Sequence, residues 1–184
     1  MKVFPQDIRR FKTVQVDVQA IRWRLTCDGP DDAYWPEPNS AADLELAELE
    51  TGLSIPESVS NFLLAGGFPD WFVVFTTWEL LSLEFMVNLY HENLSLYGPH
   101  SPIQNENRWQ STWLPVASNN GGDYLFMDSA SDGLFRYRHF DGDVIKVTDS
   151  FEQFIHGIRE DLEQDRYVLS HDETPEYRGA VEIS

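Results

Sequence analysis

Residues 113–128, WLPVASNNGGDYLFMD, set two apolar runs on either side of an Asn-Asn-Gly-Gly-Asp knot. Glycines in such a knot serve one of two ends: close approach of backbone N–H groups to a phosphate, or the positive φ of a tight turn. A phosphate cradle normally leads into a helix N-terminus with Lys or Ser/Thr. Here Asp123 follows the glycines, no lysine is near, and both flanks read as strands. The knot is a hairpin turn.

The same pattern continues downstream. DYLFMD, LFRYRHF and DVIKVT are strand-like runs separated by SASDG and DGD, which predicts an antiparallel meander. Ser150, with Gln153 in the reciprocal position, caps a last helix that turns Phe151, Phe154, Ile155, Ile158 and Leu162 inward. Upstream, Ser40 and Asp43 open a helix whose apolar stripe is Leu44, Leu49 and Leu53, with Gly52 as its stop. Pro56 starts another, with Val59, Phe62 and Leu63 on one face and Gly66-Gly67 at its end. WFVVFTT reads as a buried strand and SLEFMVNLYHENLSLYG as a helix. Helices, an antiparallel sheet and a closing helix predict an α+β fold. The expected organisation is an N-terminal extension over residues 1–39, a domain over 40–165 and an acidic tail over 166–184. In the extension, the alternation of Val14, Val16 and Val18 predicts a strand, and CDGPDDAYWPEPNS a loop.

Composition and charge narrow the function. At 184 residues the chain makes one ordinary domain of about 150 residues plus tails, with 42% hydrophobic residues for its core. The single cysteine, Cys27, forms no internal disulfide, which fits a reducing compartment. MKVFPQDIRRF lacks the apolar stretch of a signal peptide, and no apolar run reaches the ~18 residues of a membrane helix, so a cytoplasmic protein is expected. The formal net charge is −18 and is unevenly placed. From Leu25 to Asn107 there is no Lys or Arg against fourteen Asp/Glu. Such a surface repels nucleic acid and anionic membranes and attracts basic proteins.

Catalytic signatures are missing from the sequence. There is no G-x-S-x-G elbow, and the five histidines show no metal spacing. DSASDG, residues 128–133, places Ala130 where a calcium loop needs an acid or amide, and His139 where it needs Glu. Asp132-Gly133 is a hairpin turn instead. No catalytic residue, cofactor or metal is assigned.

Three local patterns resemble the SUKH superfamily, the Smi/Knr-type domains. They are Ile55-Pro56-Glu57 leading to Phe62-Leu63 and Gly66-Gly67, Trp113-Leu114-Pro115-Val116-Ala117 leading to Gly121-Gly122-Asp123-Tyr124, and the Ser150–Phe154 helix start. The resemblance spans roughly residues 40–160; Ala65 stands where the family often has Asn before Gly-Gly. The family is not known as an enzyme class. Many bacterial members are immunity proteins that bind and block a toxin, often a nuclease, and others are scaffolds. The resemblance therefore implies an immunity protein that neutralises a cognate toxin, with a Smi/Knr-type interaction scaffold as the alternative and a hydrolase behind both. The expected contact surface combines acids with aromatic anchors: Asp70, Trp71, Trp78, Glu79 and Glu84, then Asp123 and Asp128. The last two also have a structural reading, as carboxylates that cap turn N–H groups.

Overall fold

The computed structural model describes residues 13–28, 35–69, 72–74, 77–103, 107–119, 121–169 and 175–177. In chain order these form α1 (Thr13–Asp28), α2 (Ala41–Thr51), α3 (Glu57–Leu64), β1 (Val73–Val74), β2 (Trp78–Leu80) and α4 (Leu83–Tyr97). Then follow β3 (Trp113–Asn119), β4 (Tyr124–Asp128), β5 (Leu134–Arg138), β6 (Asp143–Thr148), α5 (Phe151–Glu163), and the short pair β7 (Tyr167–Leu169) and β8 (Pro175–Tyr177). The first six strands make one antiparallel sheet in the order β1-β2-β3-β4-β5-β6, and β7 pairs with β8 separately. The fold is α+β, and the meander begins two strands earlier than the turn residues alone indicate.

β3 carries a proline inside the sheet, where the missing N–H breaks the ladder. The break is absorbed by an irregularity: Pro115 lies opposite Phe126, but Ala117 lies opposite Leu125. The carbonyl of Val116, in between, accepts from Leu81 N–H at 3.0 Å. A bulge there bends the strand without leaving that carbonyl unpaired.

Alternation along the strands sends side chains to two cores. Leu114, Leu125, Met127 and Leu134 join the main core with Val59 and Phe62 of α3 and Ile155 and Ile158 of α5. Trp113, Phe126 and Tyr137 point the other way and enclose Trp109, with Leu94 and Tyr97 of α4 packed against them. Trp113 and Phe126 stack at 4.2 Å between ring centroids, and Trp109 meets Tyr137 edge-on at 5.3 Å. Both are preferred aromatic geometries.

Two helices correct the sequence reading. Residues 13–28 form a helix, not a strand. Val14, Val18, Ile21 and Leu25 are all buried, at spacings of four, three and four that only a helix brings to one face. Val14, Val16 and Val18 fit a period of two as well, and the longer period prevails because it extends to Leu25. The helix belongs to the core of the domain rather than to an extension. Asp17, 1% exposed, receives Arg159 Nη1 of α5 at 2.9 Å and lies 3.1 Å from His156 Nδ1. In α2 the capping box forms as the sequence predicts, with Ser40 N–H donating to Asp43 at 2.7 Å. Its buried face, however, is Leu44 and Ala47, and Leu49 is 81% exposed.

Candidate protein-binding surface

The NNGGD knot closes the hairpin between β3 and β4. Asn119 Oδ1 accepts from Gly121 N–H at 3.0 Å and Asp123 N–H at 2.9 Å. Gly122 has φ of 84°, and a Cβ there would lie 3.2 Å from the His139 ring, so the position needs glycine for conformation and for space. Asp123 is turned inward. Its Oδ2 accepts from Arg136 Nη2 at 2.6 Å, and its Oδ1 accepts from His139 N–H at 3.2 Å, with His139 Nδ1 3.0 Å away. Burial pushes the Asp123 pKa up, but the hydrogen bonds from Arg136 and His139 and the guanidinium charge outweigh it and hold it below the ordinary aspartate value. The carboxylate ties β4 to β5. Asp128 likewise serves a turn, its Oδ1 accepting from Ala130 N–H at 3.0 Å.

Trp78 lies behind this clamp. It is 3% exposed, and the Arg136 guanidinium sits 6.0 Å from its ring centroid. An anchor for another protein must offer area to it, and the Trp78 ring is already spent on the core. The sequence expectation for this residue is corrected on that ground. Asp70 and Trp71 lie outside the described residues.

Glu79 and Glu84 are both exposed and occupy one corner, where β2 turns into α4. Glu79 pairs across the sheet with Val73 and Ser118, which fixes its backbone and leaves its side chain outward. Ser82 caps α4, its hydroxyl accepting from Phe85 N–H at 3.4 Å. Glu84 follows in the first turn, where a carboxylate is favoured by the helix dipole.

Between these acids stands Phe85, 61% exposed, which the sequence reading passed over. A signal for it was present. At ~100° per residue it lies roughly 160° around α4 from the buried Leu83 and about 140° from the buried Tyr90, on the side turned away from both. Two depressions flank it and share Leu81, Ser82 and Phe85. One, of about 400 Å³, is lined by Phe72, Glu79, Leu80 and Leu89, and the other, of about 230 Å³, by Glu37, Leu63, Gly66, Gly67 and Phe68. Gly66 and Gly67 end α3 at φ of 96° and 61°, and a Cβ on Gly66 would lie 3.1 Å from the Pro36 carbonyl. The second depression therefore owes its shape to two glycines.

A third concavity, of about 720 Å³, lies where α1, α3 and α5 begin. Serine and threonine hydroxyls line it with Asn61, Glu57, Asp132 and Glu152, and among the described residues neither His nor Cys does. Among the described residues no three His, Cys, Asp or Glu side chains are grouped to hold a metal ion. No helix among them is long and apolar enough to cross a membrane.

The family model of the SMI1 / KNR4 family (SUKH-1) matches residues 38–157. That span runs from the residues before α2 through most of α5, and α1 precedes it. No curated protein matches the chain.

Proposed function

The chain belongs to the SMI1/KNR4 family, SUKH-1, and from that membership we propose that it is an immunity protein, which binds a cognate polymorphic toxin stoichiometrically and silences it by contact. The observation that carries this reading is the stretch Leu25–Asn107, fourteen acids and no Lys or Arg, which holds −14 of the net −18. A toxin that is a nuclease must grip phosphates with Lys and Arg, so an acidic surface competes for the same groove. The partner is a basic protein, and the same field disfavours nucleic acid and anionic membranes. The protein acts in the cytoplasm, without turnover, cofactor or metal.

Co-production with candidate toxin domains, sought among the neighbouring genes, tests the reading. Growth restored by this chain, together with a one-to-one complex on size exclusion, is the expected result. Cells that die regardless, with no complex formed, overturn it. Capture of several unrelated proteins in place of a toxin points to an interaction scaffold of the Smi/Knr type.

A further inference from the structure

Resting on that reading, we propose that the toxin seats on the corner between β2 and α4, with Phe85 as the central anchor, and presents there apolar side chains flanked by Lys or Arg. Phe85 is 61% exposed while Leu83, Met86 and Val87 beside it are buried. The helix does not need the ring: Ser82 supplies the cap and Glu84 the favourable charge. What the ring does is divide two apolar depressions, floored by Phe72 and Leu80 on one side and Leu63 and Phe68 on the other.

The rim fixes the sign of the partner. Glu79 stands at the first depression and Glu37 at the second, Glu84 adjoins Phe85 in the chain, all three are exposed, and among the described residues no Lys or Arg lines either depression. Arg22 stacks on Trp35 at 5.1 Å and Arg136 is paired with Asp123, so both cations are engaged elsewhere. An apolar centre with a charged rim is the anatomy of an interface hot spot, in which desolvated anchors supply most of the affinity and rim charges set rate and selectivity. A second copy of this chain fits poorly, because a two-fold contact through this face would bring the same carboxylates together.

The test uses the full chain and a toxin domain that it neutralises in co-production, with binding followed by calorimetry and surface plasmon resonance. Phe85→Ala is expected to weaken binding about 30-fold or more, as for a hot-spot residue, with its thermal midpoint unchanged. Phe140→Ala, at an 85% exposed phenylalanine between β5 and β6, is expected to bind like the wild type. Glu79→Gln with Glu84→Gln is expected to slow association and flatten its salt dependence. Hydrogen exchange on the unmodified complex is expected to show protection over residues 79–89. A wild type that binds while Phe85→Ala binds equally well, or protection elsewhere only, overturns this surface and leaves the immunity reading intact. A wild type that dimerises through Phe85 while toxin binding ignores the substitution makes the corner a self-association face and also overturns it. A wild type that binds no toxin removes both.

Discussion

Trp78 and Glu79 are neighbours in sequence and face opposite environments, so they separate stability from recognition. Truncating a buried tryptophan forfeits its burial and leaves a cavity, and Trp78→Ala is expected to cost about 3–5 kcal/mol in urea unfolding. Glu79→Ala is expected to change stability by about 0.5 kcal/mol or less, as for an exposed surface position. Asp123 adds a dependence on pH. Its folded pKa is depressed, so its stabilising contribution is complete above the unfolded value of about 3.9 and is lost as pH falls through the lower folded value. Asp123→Asn removes the charge that faces Arg136, whose side chain is 17% exposed, and is expected to cost about 2–3 kcal/mol near neutrality, less than a fully buried pair. Thermal melts of the two proteins should differ by a constant amount above about pH 5 and converge as pH falls through the lowered folded value of Asp123. A gap that persists at the acid end would assign the loss to packing instead of charge.

At the scale of elements, what could be read in the sequence depended on whether one period had a rival. The strands from Trp113 to Thr148 alternate between fixed turns, and Asn119, Gly122 and Gly142 sit where those turns demand them, so their order was legible. The capping pairs at Ser40 and Ser150 were equally plain, although the second differs in detail: Gln153 Oε1 accepts from Asp149 N–H at 3.3 Å, one residue before the cap. In α1, three valines at alternate positions concealed the i, i+4, i+7, i+11 stripe, and only burial against α3 and α5 decides between the two periods. In α2, Leu49 satisfied an apolar count without facing the core, since sequence shows periodicity but not which neighbour is present. The candidate site was half legible for the same reason: exposed acids declare themselves and the turn of α4 sets Phe85 away from Leu83, whereas the burial of Trp78 shows only in the packing. Leu25→Ala tests the helical assignment. At 0% exposure it is expected to cost about 2–5 kcal/mol, whereas Val16→Ala, half-buried on the flank of the same helix, is expected to cost about 1 kcal/mol or less.

For the whole molecule the governing quantity is charge. With −14 of the net −18 gathered between Leu25 and Asn107, neighbouring carboxylates repel one another across distances comparable to the Debye length, about 10 Å at 0.1 M salt. Added sodium chloride screens that repulsion, so the thermal midpoint of the free protein is expected to rise by about 2–4 °C between low and moderate salt, equivalent to about 1 kcal/mol at this chain length. Association with a basic toxin should move the other way and slow over the same range. A midpoint that falls with salt would mean that exposed pairs such as Arg138–Asp141 and Lys146–Asp149 outweigh the repulsion.

The clasp between α1 and α5 also imposes an order on the birth of the protein. Asp17 of α1 meets His156 and Arg159 of α5 at sequence separations of 139 and 142, so this contact waits for a helix made much later. Until α5 emerges, the part of α1 that packs on it, with the Asp17 carboxylate, lacks that cover and has only α3 to meet. Strands β3 to β6 can assemble meanwhile from neighbours joined by short turns, whereas β2 reaches β3 across α4. Completion of the fold is therefore gated by the emergence of residues 151–163, which supply both the partners of Asp17 and part of the cover of the sheet.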